Sequence, residues 1–220
     1  MTSAGRLRVA VLISGSGTNL QAIIDANADA KLGIDIVGVI SDRPEARGLQ
    51  RADAAGIPIF PIDYNACADR AQYDERLEHT LEQLAPDLIV LAGYMRILPN
   101  ATVNRYRGRM LNIHPSLLPA YPGLNTYARA LEAGETWHGT TVHFVTPELD
   151  AGPAILQYKV QIRTDETEAD LRERVQRGEY MIYPEAISWF ATGRIELHDE
   201  TVTLDGKPVS EPVIINEQSE

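Results

Sequence analysis

Apolar residues in the first half of the chain fall into short continuous runs separated by segments of helical period. Residues 8–13 (Arg-Val-Ala-Val-Leu-Ile) form the first run, the pattern of a strand buried on both faces. Residues 19–30 repeat apolar side chains at helical spacing through Leu20, Ile23 and Ile24. A second strand is expected over 34–40, a second helix over 48–55 and a third strand over 57–62. Pro58 and Pro61 suit that third strand to a sheet edge. A long amphipathic helix over 68–85 stops at Pro86, and a fourth strand follows over 88–92. Strand and helix in alternation predict a parallel sheet with right-handed crossovers.

The second half changes character. Strands are expected over 110–113, 140–145 and 154–162, with a short helix over 127–133 and a tight turn over 150–153. Residues 168–190 read as a long helix, bent near Gly178 and Pro184. Residues 194–204 alternate like a hairpin, with Asp205-Gly206 as a turn. The reading is an α/β chain: a Rossmann-like, mostly parallel twisted sheet flanked by helices, with a C-terminal long helix and hairpin. It is taken as one domain over 1–220. Within it, 1–93 is a phosphate-binding half, 94–205 a catalytic half and 206–220 a mobile tail.

The bulk numbers narrow the function. A chain of 220 residues can bury roughly 70% of its unfolded surface. Its longest apolar stretches are strand-sized, short of the ~20 residues of a spanning helix, and the N-terminus carries no signal-peptide pattern. A single cysteine, Cys67, fits a reducing cytoplasm. Twenty basic against 31 acidic residues, a net charge of −11, argue against a nucleic-acid or acidic-membrane partner. A small anionic substrate remains open where local donors outweigh the global field, and a homodimer is compatible with the sequence.

Chemistry concentrates in three places. Ser14-Gly15-Ser16-Gly17-Thr18-Asn19 joins the first strand to the first helix, where backbone N–H groups and the helix N-terminus can seat a phosphate. It lacks the third glycine of a dinucleotide fingerprint, since Leu20 stands there, and it is no Walker loop. The competing reading is a tight turn with Thr18 or Asn19 as helix cap. Asp42, ending the second strand, keeps a dinucleotide in view. The second place is Leu-Asn-Ile-His-Pro-Ser-Leu-Leu-Pro over 111–119. Asn112 and His114 share one strand face, and Pro115 holds His114 extended. The third is Asp150, on a Pro-Glu-Leu-Asp-Ala-Gly-Pro turn.

These groups suit acyl transfer to an amine. The Asn112 amide and the His114 imidazole supply donors to a tetrahedral oxyanion, where one donor is typically worth ~10²–10³ in rate. Asp150 acts as counter-ion to His114 and accepts the amine's proton through water. Taken singly, an Asn-x-His pair is more often structural and an Asp before Ala-Gly-Pro a turn former. No metal is expected: His138 and His143, five apart, face opposite sides of a regular strand. His138 then reads as a strand-end residue.

Taken together, residues 11–23, 91–98, 111–119, 138–145, 148–153 and 182–190 resemble the folate-dependent phosphoribosylglycinamide formyltransferases, over nearly the whole chain and in that family's order. The resemblance implies the formyltransferase fold. It also implies transfer of the formyl group of 10-formyltetrahydrofolate, a co-substrate, to the amine of glycinamide ribonucleotide. By position, Asn112, His114 and Asp150 match the catalytic trio. Gly17, Thr18 and Asn19 match the segment that holds the phosphate side, and Glu179 an acid that binds ribose hydroxyls. Met95, Arg96, Ile97 and Leu98 match the wall of the folate pocket, and Arg70 an arginine near the folate tail. Thr146, Pro147, Glu148, Leu149 and Asp150 match a loop that closes over the pterin, and Asn112 also faces the folate. Tyr180, Asn125 and Tyr127 depart from the histidines of some relatives, and Gly178 is expected to loosen the helix that carries Glu179.

Four alternatives differ in class. A formyltransferase acting on methionyl-tRNA or an amino sugar would call for a C-terminal domain longer than the 30 or so residues after Phe190, or a different acceptor loop. A formyltetrahydrofolate hydrolase usually has an added N-terminal domain. A nicotinamide oxidoreductase would use the glycine loop with Asp42. A non-catalytic binding protein would not need the trio.

Overall fold

The computed structural model describes residues 5–218, which divide into two compact units, 5–111 and 112–218. The division falls inside the fifth strand.

The first unit follows the alternation read from the sequence. Its elements are β1 (Leu7–Ile13), α1 (Thr18–Ala28), β2 (Ile34–Ser41), α2 (Arg47–Ala54), β3 (Ile59–Pro61), α3 (Arg70–Leu84), β4 (Leu88–Leu91) and α4 (Asn100–Arg105). The strands run parallel in the order β4-β1-β2-β3, which leaves proline-bearing β3 at the edge. β1 lies between two neighbours, and its Val9, Ala10, Val11, Leu12 and Ile13 are wholly buried. That explains the continuous apolar run: a central parallel strand is covered on both faces. Helix α4 escaped the sequence reading because six residues, Asn-Ala-Thr-Val-Asn-Arg, are too few to display a period.

The second unit holds β5 (Met110–His114), whose first two residues belong to the first unit, then α5 (Thr126–Glu132), β6 (Trp137–Phe144), β7 (Ala154–Gln161) and α6 (Glu168–Ala191). β8 (Ile195–His198), β9 (Thr201–Leu204) and β10 (Lys207–Val209) form a separate antiparallel sheet, and β11 (Val213–Asn216) follows. The main-sheet order here is β11-β7-β6-β5, with β6 and β7 antiparallel and β11 parallel to β7. Asp205 and Gly206 both take positive φ, as the turn between β9 and β10 requires.

Two expectations are corrected. Residues 206–218 are not a free tail: β11 adds to the sheet edge, and Glu217 pairs with Arg174, which also holds Glu166 at 2.6 Å. Residues 219 and 220 of that tail lie outside the described residues. Helix α6 runs unbroken through Gly178 and Pro184, started by a capping box of Thr167 and Asp170. Gly178 does not loosen it. A Cβ there would lie 2.0 Å from the Tyr158 ring, so glycine is what lets α6 seat against β7. Gly178→Ala is therefore expected to destabilise the fold by about 1–3 kcal/mol through overpacking, although helix propensity alone favours alanine by about 1 kcal/mol. Denaturant unfolding checks this, and unchanged or increased stability would contradict it.

Candidate active site

β5 ends by presenting Asn112 and His114, with buried Ile113 pointing the other way between them. The His114 ring has an acceptor at each nitrogen. Nε2 donates to the Tyr121 carbonyl at 3.0 Å, and Nδ1 lies 3.4 Å from Asp150 Oδ2. The same Asp150 oxygen accepts the Gly123 N–H at 2.8 Å. Two backbone groups of the 115–125 loop thus grip the two side chains, and both members of the pair are only 8% exposed. Asp150 sits in the left-handed region at φ +52, a conformation that asparagine, aspartate and glycine tolerate best. The turn behind it is tight. A Cβ on Gly152 would fall 1.8 Å from the Phe144 carbonyl, and Phe144 N–H donates to the Pro153 carbonyl at 3.0 Å.

Asn112 is oriented by His143, a residue the sequence reading left without a role. His143 Nδ1 donates to the Phe144 carbonyl at 2.8 Å, which leaves Nε2 as an acceptor for the Asn112 amide at 3.0 Å. The amide NH₂ therefore faces His143 with one N–H and keeps a second to offer. Burial pushes the His143 imidazole down to about 4, so the neutral, accepting form persists at neutral pH. The pairing of β6 with β7 is irregular beside His143: Val142 pairs with Leu156 and His143 with Ala154, so the extra residue, Ile155, lies on β7. His138 is buried against Tyr127 and Tyr121, ring edge to ring face at 5.2 and 6.5 Å, and burial pushes it down to about 4 as well. Among the described residues no group of three or more His, Cys, Asp or Glu could hold a metal ion.

The first unit carries the other predicted residues. Gly17 is the N-cap of α1, at φ +68 and with no side-chain cap, so neither Thr18 nor Asn19 caps the helix. Met95, Arg96 and Ile97 sit on an irregular segment after β4, held by its flanks. Met95 N–H donates to Ser14 Oγ at 2.8 Å, and the Tyr94 and Tyr73 phenols are hydrogen-bonded. Arg96 Nε donates to Asp42 Oδ2 at 2.8 Å, and its guanidinium lies 3.5 Å from the Tyr64 ring centre. Arg70, on the first turn of α3, pairs with Asp74 and donates to the Ile97 carbonyl, so the structure joins it to this segment. Both guanidinium groups are partly engaged, yet each retains N–H groups beyond those used. Met95 and Ile97 are 61% exposed, an apolar surface on an anchored backbone, whereas the Leu98 side chain is core. The Asp42 carboxylate is 1% exposed and bound to Arg96, which removes it as a ribose ligand and with it the dinucleotide reading.

Residues 7–187 match the family model described as formyl transferase. The chain belongs to the formyl transferase family. The chain is 51% identical over 201 residues to the phosphoribosylglycinamide formyltransferase of Escherichia coli, covering 91% of this chain and 95% of that one. It is 47% identical over 210 residues to that of Haemophilus influenzae, covering 96% and 99%. The structure superposes with a TM-score of 0.90 on the phosphoribosylglycinamide formyltransferase of Coxiella burnetii in complex with CHES. That pair is 50% identical, with 94% and 99% of the two chains covered.

The formyltransferase fold thus brings Asn112, His114 and Asp150 into one constellation inside the second unit. Around Asp150, Thr146 is half-buried while Pro147, Glu148 and Leu149 are exposed. Glu179 is buried on α6, and its charge acts on the Tyr127 phenol, which burial already raises above the ordinary tyrosine range. Asn125 takes φ +57 as the N-cap of α5. His143, the Tyr121 carbonyl and the Gly123 N–H are the contributors that sequence reasoning missed. β6 is buried continuously from His138 to Phe144, so side-chain pattern did not single out the first, and backbone groups leave no signal in it.

Proposed function

We propose that this chain transfers the formyl group of 10-formyltetrahydrofolate to the amine of 5'-phosphoribosylglycinamide, giving formylglycinamide ribonucleotide and tetrahydrofolate in purine biosynthesis. The observation that carries the reading is the 3.4 Å approach of Asp150 to His114 beside an oriented Asn112. The amine nitrogen attacks the formyl carbon, forming the new C–N bond and an oxyanion. The spare Asn112 N–H stabilises that oxyanion, and a His114 N–H joins it when the oxyanion displaces the Tyr121 carbonyl or Asp150 from the ring. Asp150 takes the proton the ammonium sheds and passes it to folate N10, and the oxyanion collapses to the new formyl carbonyl as the bond from the formyl carbon to N10 breaks.

The remaining residues are assigned by their match to the family. Gly17, Thr18 and Asn19 hold the ribonucleotide phosphate through backbone N–H groups, and Glu179 accepts from the ribose hydroxyls. Met95 and Ile97 offer apolar contact to the flat pterin, with the backbone of Arg96 and Leu98 reading its edge. Arg70 and Arg96 face the anionic folate tail, and 146–150 closes over the pterin. The lone cysteine and the biosynthetic role fit a cytoplasmic enzyme, and no helix of the described residues is long and apolar enough to cross a membrane.

A spectrophotometric assay with 10-formyl-5,8-dideazafolate tests this. Purified protein is expected to release deformylated folate only when glycinamide ribonucleotide is present. Release that is independent of the amine would point to hydrolysis, and no release would reject the reading.

A further inference from the structure

The glycine loop is aimed by the helix beside it. Gly48 N–H, at the start of α2, donates to the Gly15 carbonyl at 3.0 Å. Arg51 Nε–H, one turn on, donates to the Ser16 carbonyl at 2.9 Å. Both peptides are trans, and in a planar trans peptide C=O and N–H point opposite ways. The Gly15 carbonyl shares its peptide with the Ser16 N–H, and the Ser16 carbonyl shares its peptide with the Gly17 N–H. Tying both carbonyls to α2 therefore turns both N–H groups away from α2, in the sense a backbone anion nest needs.

Arg51 does more than one backbone bond. Its Nη1 donates to Gln21 Oε1 at 3.2 Å, on the first turn of α1, so one guanidinium fixes the loop against the helix it opens. Contact is close along the stem. A Cβ on Gly17 would lie 2.4 Å from Gly48 Cα and 3.5 Å from Arg51 Cδ. Gly17 itself needs its left-handed φ of +68, so the loop has little freedom to find the same peptide orientation by another route.

We infer that Arg51 is a positioning residue for the ribonucleotide phosphate: it acts through the Ser16 carbonyl to hold the Ser16 and Gly17 N–H groups toward the anion. This rests on the ribonucleotide reading of Gly17, Thr18 and Asn19 proposed above. The ligand class is a phosphate monoester, held by backbone N–H groups whose direction is set from the far side of the peptide plane.

The test compares Arg51→Met, which keeps the stem over Gly17 and removes every donor, with Arg51→Lys, which keeps the charge but lacks the planar fork that holds Ser16 and Gln21 in one geometry. Arg51→Met is expected to raise KM for the ribonucleotide about tenfold, the scale of one lost charge-assisted hydrogen bond, with kcat and the formyl-folate KM unchanged. The inhibition constant of inorganic phosphate against the ribonucleotide is expected to rise in parallel. The effect persists at about 0.5 M salt, where a through-space charge effect at an exposed site is screened. Arg51→Lys is expected to fall between the two. An unchanged ribonucleotide KM in Arg51→Met overturns the inference. So does an equal rise in both KM values, or an effect that disappears in salt. If Arg51→Met does not fold, Arg51→Lys decides, and a wild-type KM there overturns it. Wild-type enzyme that neither turns over the ribonucleotide nor binds inorganic phosphate in competition with it overturns the loop reading as well, which separates the two failures.

Discussion

Replacing Asp150 with asparagine is expected to lower kcat by at least ~10² while the protein stays folded. Asparagine is the informative substitution because position 150 has φ +52, where asparagine costs little and alanine adds backbone strain. The new side chain can still accept the Gly123 N–H that Asp150 accepts at 2.8 Å, so the turn keeps its anchor. What it loses is the negative charge 3.4 Å from His114 Nδ1, and with it the acceptor for the amine's proton. Both losses fall on the transition state, so kcat and kcat/KM for the ribonucleotide are expected to drop together. Asn112→Ala is expected to lower turnover by a similar ~10², by removing one oxyanion donor. The double variant is expected to lose far less than the product of the single losses, because the groups serve one intermediate. Circular dichroism controls for folding. Near-normal turnover in either folded variant would remove that residue from the mechanism.

The second large effect is on stability in mild acid. His138 and His143 are both pushed down to about 4 by burial, against an ordinary value near 6.5 in the unfolded chain. A histidine with a depressed folded value binds its proton first in the unfolded state. Its stabilising contribution is therefore complete above pH ~6.5, declines as pH falls, and is fully lost below pH ~4. Each group costs about 1.4 kcal/mol per pH unit inside that window, so the pair sets a slope approaching ~3 kcal/mol per unit. Urea midpoints at pH 7, 6, 5 and 4 read the slope. His143→Leu is expected to halve it and also to lower kcat, since Asn112 then loses the acceptor that orients its amide. A flat profile between pH 6.5 and 4 would show that neither ring is held neutral by burial.

Much of the site was legible because its parts are local. The spacing Asn-Ile-His-Pro places an amide and an imidazole on one face of any strand, and the continuous apolar run of β1 announces a strand covered on both sides. The chain after Ser210 misled because four residues, Val-Ile-Ile-Asn, carry no signal of the strand they join. Their place depends on β7 and on Glu217 meeting Arg174, 43 positions away. Asp42 misled for a related reason. At the end of a second strand it looks like a ribose ligand, until Arg96, 54 positions on, is seen to bind it.

The strand and helix alternation, the exposed glycine turn and the shared face of Asn112 and His114 follow from the order of residues, because side-chain periodicity reports a segment's own two faces. Tertiary structure alone decided which partner each polar group would meet: His143 for Asn112, the Gly123 N–H for Asp150, the Tyr121 carbonyl for His114. Those pairings depend on strand register and on backbone groups that every residue carries alike. Such groups acquire a direction only when distant segments pack.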